Sequence, residues 1–350
     1  MENMENNKFI TDFYSRQMTM KEFTAAKQKK LLESKVAVVG IGGLGTISSI
    51  YLALAGVGKL ILIDQDTVEL KNLHRQILYK TSDLHYPKAE IAANQLKKMN
   101  PLIEIEAYSD NINSNNVEEL LGGVDCVVDG LDNMATRYLV NSACVKMKIP
   151  YVFGAAIGLE GNLSVFSSPD TGCLKCLLPN VSDEDLMNCE TRGVIGATPG
   201  IIGSMQAMET IKILTGIGST LKGKLLVCDF SDMYFTMIDI SKNSNCPICQ
   251  LPKGMNKIRS DKLVWLCGRN TANINPKIPY NLDLNELAKV VQREFNLRLK
   301  SKLALIFDYN SLEVSLFKSG RMLIKNVNNE KTAFEAYRLI FEKLKISKLN

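Results

Sequence analysis

The sequence predicts an α/β fold in which a Rossmann-like, mostly parallel sheet continues into antiparallel strands, followed by a small C-terminal α+β domain. Three observations support this prediction. Short apolar runs alternate with amphipathic stretches between residues 36 and 155, a glycine-rich turn follows the first run, and beyond residue 160 the pattern becomes that of adjacent strands. Alternating strands and helices favour parallel strands joined by right-handed crossovers.

Each element is predicted from its hydrophobic pattern. The buried parallel strands are predicted at residues 36–39, 60–64, 103–108, 125–130 and 151–155, and the antiparallel strands within 161–168 and 224–240. Helices are predicted at about 44–55, 87–100, 134–147 and 198–215, and two more at 283–295 and 330–344.

The chain of 350 residues is longer than one typical domain. We predict an N-terminal arm and helix at residues 1–30, a large domain at 31–252 and a small domain at 257–350. The stretch "QLPKGMNK" (250–257) is typical of a linker and marks the predicted boundary.

Composition predicts a soluble, cytoplasmic protein. Apolar residues make up 46% of the chain and charged residues 23%, and no apolar run is long enough to span a bilayer or to serve as a signal peptide. The nine cysteines include two CxxC pairs, which favour metal binding in a reducing compartment over disulfides. We therefore expect no membrane contact.

The C-terminal part is basic, with 18 Lys and Arg against 9 Asp and Glu in residues 255–350. Its positive charges are spread along the chain and accompany no nucleic-acid-binding motif, so no nucleic-acid partner is expected. Docking of an acidic carrier protein, or support of a dimer, fits this charge better.

The glycine-rich turn "GIGGLG" is a predicted phosphate-binding site. Gly40, Gly42 and Gly45 fit G-x-G-x-x-G, and Gly43 adds a fourth glycine. Such a turn brings backbone amides and a helix N-terminus close to phosphate oxygens. Asp64, at the end of the next strand, is placed to hold a ribose. These features fit NAD as well as ATP, which leaves an NAD-dependent oxidoreductase as an alternative.

The polar stretch "DQDTVELKNLHRQ" (64–76) favours ATP. Predicted ATP-binding residues in and after it are Asp64, Asp66, Asn72, Arg75, Lys88, Asp132 and Asn133. Asn72 and Arg75 lie one helical turn apart and can face the same phosphates, and Lys88 brings a second cation. Asp132 follows the fourth strand and is suited to Mg²⁺. Two cations and such a carboxylate are what a triphosphate needs.

The two CxxC pairs predict a structural zinc site. Cys173 and Cys176 form one pair, and Cys246 and Cys249 form the other. Four thiolates make a closed tetrahedral Zn²⁺ site. The long separation means that the metal would join two distant segments.

The motifs together resemble one family. "GIGGLG", "DQDTVELKNLHRQ", "YPKAE", "LDNMATR", the CxxC pairs and "GSMQAMETIK" are similar to those of the ThiF/MoeB/HesA-type enzymes, prokaryotic relatives of ubiquitin-activating enzymes. The resemblance runs from about residue 13 to 250, and the tail looks like the extension of longer ThiF-type proteins. It implies that residues 31–252 form an adenylation domain, which uses ATP to adenylate the C-terminal glycine of a small β-grasp protein.

The resemblance also implies roles for single residues. Asp64 would hold the ribose, Asn72, Arg75 and Lys88 the phosphates, and Asp132 the Mg²⁺. Arg16, in "FYSRQ", would reach into the site of a second protomer, so that a homodimer is the functional unit.

Cys189 is a predicted covalent site by the same resemblance. It would form a thioester or an acyl-disulfide with the carrier, and a non-reactive loop cysteine is the alternative. Cys126, Cys144 and Cys228 lie in apolar runs and are expected in the core. A catalytically inactive member of the family is the remaining alternative for the whole chain.

Overall fold

The computed structural model describes residues 2–183, 192–250, 263–265, 270–276 and 278–346. Its helices are α1 (Glu2–Phe13), α2 (Ser15–Met18), α3 (Ala25–Leu32), α4 (Gly43–Ala55), α5 (Lys88–Met99), α6 (Val117–Leu120), α7 (Met134–Met147), α8 (Leu174–Leu177), α9 (Ala197–Thr215), α10 (Leu284–Glu294) and α11 (Glu330–Lys343). Its strands are β1 (Lys35–Val39), β2 (Lys59–Ile63), β3 (Glu104–Tyr108), β4 (Cys126–Asp129), β5 (Tyr151–Ile157), β6 (Glu160–Phe166), β7 (Lys224–Asp229), β8 (Tyr234–Asp239), β9 (Leu263–Trp265), β10 (Thr271–Ile274), β11 (Asn296–Lys300), β12 (Ala304–Tyr309), β13 (Leu312–Phe317) and β14 (Met322–Lys325).

The first eight strands form one sheet in the order β3-β2-β1-β4-β5-β6-β7-β8. The strands from β3 to β5 pair in parallel, and β5, β6, β7 and β8 pair antiparallel. The predicted Rossmann-like sheet with an antiparallel continuation is therefore confirmed, as are the predicted helices that flank it.

Both faces of the parallel part are covered. Val36 and Val38 of β1 belong to a core with residues of α4 and α9, whereas Ala37 and Val39 belong to a second core with residues of α7. Because alternate side chains are buried on opposite faces, the strands read as unbroken apolar runs. This is why they were recognisable in the sequence.

The chain reverses its strand order between β1 and β4. From β1 the chain continues outward to β2 and β3, and then returns to place β4 on the other side of β1. Ligands of open α/β sheets bind outside the carboxyl ends of the strands at this crevice. The glycine-rich turn, Asp64 and Asp132 all follow strand ends at this edge.

The C-terminal residues form a separate antiparallel sheet in the order β11-β12-β13-β14-β10-β9. Helices α10 and α11 supply Ala288, Val291, Ala336 and Ile340 to a core against β12, β13 and β14. The predicted small α+β domain is confirmed. Strand β11 was not predicted separately, because it is an edge strand whose side chains alternate between exposed and half-buried.

The N-terminal residues form three short helices, of which α2 and α3 contact the large domain: Gln17 donates to the carbonyl of Ala55, and Lys27 donates to that of Thr215. Tyr14 is buried, and Asn100 donates a side-chain hydrogen bond of 2.7 Å to its hydroxyl. None of the described helices has the length and apolar character needed to cross a membrane. The boundaries 1–30, 31–252 and 257–350 stay predictions, since the linker lies outside the described residues.

Candidate active site

The glycine-rich turn is shaped by close backbone contact. Gly40 has φ +87°, and a Cβ at Gly45 would lie 1.9 Å from the carbonyl oxygen of Gly40. A Cβ at Gly130 would lie 2.1 Å from the same oxygen. Only glycine fits at these places. These glycines let α4 begin directly after β1 and close to the end of β4. Its N-cap residue is Gly42, so no side chain caps the first backbone amides of the helix. An uncapped helix N-terminus is suited to bind an anion.

Asp64 links this turn to the next strand. Its carboxylate accepts hydrogen bonds of 2.7 Å from the backbone amides of Ile41 and Asp66. Burial, with only 8% of the residue exposed, raises the pKa of Asp64 to about 6, and the charge of Asp66 adds to the rise while Lys88 opposes it. A carboxylate fixed at the end of β2 can accept hydrogen bonds from a ribose.

Lys88 is a buried cation at the first position of α5. It is only 4% exposed, and its Nζ lies 3.0 Å from Oδ2 of Asp66. Although burial alone would lower the pKa of Lys88, the charges of Asp66, Asp64 and Asp132 raise it above its ordinary value. Lys88 is thus held charged beside the predicted nucleotide site.

Arg75 lies beside the glycine-rich turn, and Asn72 precedes Arg75 by three residues. A Cβ at Gly43 would be 3.7 Å from Cδ of Arg75. Arg75 is half-buried, and its Nη1 donates to the carbonyl of Lys71 at 3.4 Å. Asn72 is buried at the end of a single 3₁₀ turn, Leu70–Asn72. The structure therefore places Arg75 against the glycine-rich turn, on the side of α4's N-terminus.

Asp132 and Asn133 form the turn between β4 and α7. Asp132 is exposed, and Asn133 donates to its Oδ1 at 3.3 Å. Asn133 also caps α7, because its Oδ1 accepts the amide hydrogen of Thr136 at 2.9 Å. The described contacts of Asn133 are those of a helix cap; direct binding of ATP by this residue stays a prediction.

A buried polar network under this turn was missed by the sequence reasoning. Asp129, at the end of β4, is completely buried and accepts from Tyr151 Oη at 2.7 Å and from the amide of Leu131 at 2.8 Å. Arg137 pairs with it at 3.2 Å and donates to the carbonyls of Leu131 and Gly154. The network fixes the path of the chain just before Asp132. The one sign of this network in the sequence was the charged Asp129 at the end of an apolar strand, and that sign does not reveal that Arg137 and Tyr151 are its partners.

The four predicted zinc ligands lie together. All four sulfur atoms are within 4.8 Å of one another. The Sγ atoms of Cys173 and Cys246 are 3.7 Å apart, and those of Cys176 and Cys249 are 3.6 Å apart. A tetrahedron with Zn–S bonds of about 2.3 Å requires sulfur atoms about 3.8 Å apart. The cluster has the size of a Cys₄ zinc site.

Two predicted residues cannot be placed in this site. Arg16 lies in α2, is exposed, and its side chain makes no hydrogen bond or ion pair with the described residues of its own chain. Cys189 lies outside the described residues. By contrast, Cys126, Cys144 and Cys228 are buried, as expected for core residues, and burial raises the pKa of each thiol.

Comparison with known proteins decides the family. A model of the ThiF family matches residues 14–248. The chain belongs to the ThiF family. Over 237 residues this ThiF-family chain is 40% identical to the sulfur carrier protein ThiS adenylyltransferase of Escherichia coli strain K12, covering 67% of this chain and 94% of that relative.

Two further relatives and one structure agree. The sulfur carrier protein adenylyltransferase of Thermus thermophilus is 41% identical, with 68% of this chain and 90% of the relative covered. The adenylyltransferase and sulfurtransferase MOCS3 of Culex quinquefasciatus is 42% identical, covering 70% of this chain but only 56% of the longer relative. The crystal structure of E. coli MccB with MccA-N7isoASN has a TM-score of 0.61 at 24% identity, covering 68% of this chain and 74% of that one, which supports the fold.

This ThiF-family chain is therefore an adenylyltransferase by its relatives. The three relatives are all adenylyltransferases, so the alternative of an NAD-dependent oxidoreductase has no support.

Proposed function

We propose that this protein uses ATP to adenylate the C-terminal glycine of a small β-grasp protein that ends in Gly-Gly, either a sulfur carrier or a ubiquitin-like protein. The observation that carries the proposal is the buried Lys88 among Asp64, Asp66 and Asp132, beside the glycine-rich turn. The E. coli and Thermus relatives are named for action on sulfur carrier proteins.

We propose that residues around the glycine-rich turn bind different parts of ATP. Asp64 accepts hydrogen bonds from the ribose, and the N-terminus of α4 faces the phosphates. Arg75, Asn72 and Lys88 bind the phosphates. Arg75 lies next to Gly43, since a Cβ built on that glycine would be 3.7 Å from Cδ of Arg75, and Lys88 is buried; both support this assignment.

The proposed reaction places little demand on acid–base groups. The carrier carboxylate attacks the α-phosphorus, the bond from that phosphorus to the bridging oxygen breaks, and pyrophosphate leaves. Cations that neutralise the phosphates and hold the two oxygens in line are enough for such a displacement. Lys88, whose Nζ donates to Asp66 at 3.0 Å, and Arg75, whose Nη1 donates to the backbone carbonyl of Lys71, are the two cations proposed for this task.

Asp132 is the proposed ligand of Mg²⁺. Its carboxylate is exposed at the carboxyl end of β4, and the amide of Asn133 holds one of its oxygens. Carboxylate oxygens and water are what Mg²⁺ prefers. When bound, the ion would neutralise charge on the phosphates.

The Cys₄ cluster is the proposed zinc site, with a structural role. Cys173 precedes α8 and Cys246 follows β8, so the metal would tie these two segments together. Four thiolates leave no open position for a substrate. This cluster and three buried free thiols also fit a reducing cytoplasm, the location we propose.

A homodimer is the proposed functional unit. Exposed apolar side chains lie along the packed pair α4 and α9: Tyr51, Leu54, Ile201 and Met208. Apolar patches of this kind are typical of subunit interfaces. Arg16, whose side chain has no partner among the described residues of its own chain, would then enter the partner's site.

Cys189 is the proposed covalent site for a later step. The Cys189 thiolate would displace AMP from the adenylated carrier and form a thioester. If Cys189 first takes sulfane sulfur from a persulfide donor, whose thiol leaves, the resulting persulfide would displace AMP instead and form an acyl-disulfide. Cys189→Ser is expected to retain adenylation and to lose that adduct; full downstream transfer by this variant would contradict the role.

The experiment that tests the proposal is carrier-dependent exchange between ATP and labelled pyrophosphate. Exchange is expected with a Gly-Gly-ended carrier and Mg²⁺, and none with the same carrier lacking its last glycine. A protein that binds ATP but supports no exchange with any Gly-Gly carrier would instead be an inactive member of the family.

A further inference from the structure

The C-terminal domain reaches the nucleotide site through one buried arginine. Arg321, just before β14, is only 1% exposed. Its Nη2 donates to the backbone carbonyls of Gln65 at 2.6 Å and of Ser109 at 3.0 Å, both in the large domain. The side chain therefore crosses the junction between the two domains.

The two carbonyls lie at functionally important places. Gln65 stands between Asp64 and Asp66, and Ser109 directly follows β3. The guanidinium thus ties the turn after β2, which carries both aspartates, to the carboxyl end of the neighbouring strand. A planar group with donors in a fixed fork is suited to hold two carbonyls at a set distance.

Arg321 is itself held firmly on the side of the C-terminal domain. Its Nη1 donates to Oδ1 of the completely buried Asn273 at 2.9 Å. Its guanidinium carbon also lies 3.6 Å from the centre of the Phe317 ring. These contacts leave the guanidinium little freedom, so the position of the small domain determines the position of Gln65.

The charge of Arg321 acts on the same aspartates. No carboxylate among the described residues makes an ion pair with Arg321, and burial lowers its pKa to about 10 while Asp110, Asp66 and Asp64 oppose that shift. In turn, Lys88, Arg321 and Lys325 together outweigh burial and hold the pKa of Asp66 below its ordinary value. Burying a guanidinium without an ion pair costs desolvation free energy, and the hydrogen bonds of Arg321 to Gln65, Ser109 and Asn273 give that buried charge a role in positioning.

Neighbouring contacts hold the rest of the site in the same way. Lys325 pairs with Glu69 at 3.4 Å, four residues after Gln65. The backbone amides of Lys302 and Leu303 donate to the carboxylate of Glu90 at 3.1 and 3.2 Å. Glu90 lies in the first turn of α5, the helix that begins at Lys88. The small domain thus contacts both the ribose turn and the lysine helix.

We propose that Arg321 is a positioning residue for ATP, and that the C-terminal domain completes the nucleotide site by holding the Asp64–Asp66 turn in its binding conformation. This inference rests on the proposed function, because it assigns that turn to the nucleotide. It gives the extension a role in the adenylation step itself, in addition to any role in binding the carrier.

The test compares Arg321→Met with Arg338→Met in the full chain. Arg338 lies on the exposed face of α11 and provides a control with the same substitution in the same domain. We expect Arg321→Met to raise the KM for ATP roughly 10- to 100-fold, the effect of two lost charge-assisted hydrogen bonds. The KM for the carrier should change much less, and Arg338→Met should match the wild type.

Two further measurements separate positioning from loss of folding. Arg321→Lys keeps the positive charge but loses the planar guanidinium that donates to two carbonyls at once. Its affinity for ATP is expected to lie between those of Arg321→Met and the wild type. Hydrogen exchange at the amides of Asp66 and Val68 should speed up in Arg321→Met, while exchange in β5 and β6 stays unchanged. If Arg321→Met does not fold, the KM values of Arg321→Lys for ATP and for the carrier are compared with those of the wild type instead.

An unchanged KM for ATP in a folded Arg321→Met, or in Arg321→Lys where the Met variant does not fold, would overturn the inference. So would an equal rise in the KM values for ATP and carrier, because that indicates general damage. A direct measurement of ATP binding tests the role of Arg321 separately from the proposed function, because it does not depend on adenylation of a carrier. A wild type that binds ATP but adenylates no carrier refutes the function, and the affinity comparison still decides the role of Arg321.

Discussion

Nζ of Lys88 lies 3.0 Å from Oδ2 of Asp66, although the lysine is almost completely buried. Asp64 and Asp132 are the next carboxylates whose charges act on it. The buried lysine is thus held charged by three carboxylates, near a helix N-terminus without a side-chain cap. These groups are suited to bind the phosphates of a nucleotide together with a metal cation.

Lys88→Met is expected to lower kcat/KM for adenylation by at least about 100-fold, because the substitution removes a preorganised cation from the phosphates. Pyrophosphate exchange measures the effect. Lys98→Met serves as the control, since Lys98 is an exposed lysine on the same helix. Equal activity of the two variants would exclude Lys88 from the reaction.

The pH dependence of ATP binding should follow Asp64. Its ionised carboxylate accepts stronger hydrogen bonds from the ribose than the protonated form does, and burial raises its pKa in the folded protein to about 6. The affinity for ATP is therefore expected to rise as the pH increases through about 6. Titration calorimetry at several pH values measures this, and Asp64→Asn should show a flatter profile.

The same group should affect the stability of the protein without ATP in the opposite direction. In an unfolded chain an aspartate has a pKa of about 4, so the folded protein takes up this proton at a higher pH. The contribution of Asp64 to the free energy of unfolding is then fully present below about pH 4 and is lost as the pH rises through 6. Chemical unfolding of wild type and Asp64→Asn at pH 5 and 7.5 checks the sign: the difference, variant minus wild type, should increase with pH.

Asp132→Ala is expected to abolish adenylation and to leave the fold intact, because Asp132 is exposed and the helix cap is made by Asn133. Asp170→Ala is a control at another exposed aspartate. Pyrophosphate release at increasing Mg²⁺ is the measurement. Near-normal release by Asp132→Ala would refute the assignment of Mg²⁺ to this residue.

Cys173→Ser is expected to remove bound zinc and to lower the melting temperature by at least about 5 °C, since binding energy of a structural metal is folding energy. Metal content per chain and thermal unfolding report the two effects. Cys228→Ser is the matched control at a buried cysteine outside the cluster. It should lose stability but keep its zinc; full zinc content in Cys173→Ser would contradict the site.

The sequence was most informative where local patterns determine structure. The apolar runs of β1, β2 and β4 marked the parallel sheet because both faces of that sheet are buried. The CxxC pairs indicated a shared site because cysteine has few other reasons to occur at this spacing, and the sulfur atoms do lie together.

The sequence was least informative where a role depends on a distant partner. Arg137 and Asp129 are recognisable as a pair only in the folded sheet, since nothing in their separation indicates a buried network. Arg321 is a basic residue in a basic domain until the domain is seen against Gln65. The general positive charge of the tail favoured an acidic partner and gave no sign that one arginine is buried against the large domain.

Carrier adenylation is tested most directly by the intact mass of each Gly-Gly-ended β-grasp protein of the organism after incubation with the purified enzyme, ATP and Mg²⁺. We expect one carrier to gain the mass of AMP, and this adduct to be absent with Lys88→Met or when the last glycine of the carrier is deleted. If ATP binds but no carrier gains AMP, the assignment of this site to carrier adenylation is contradicted.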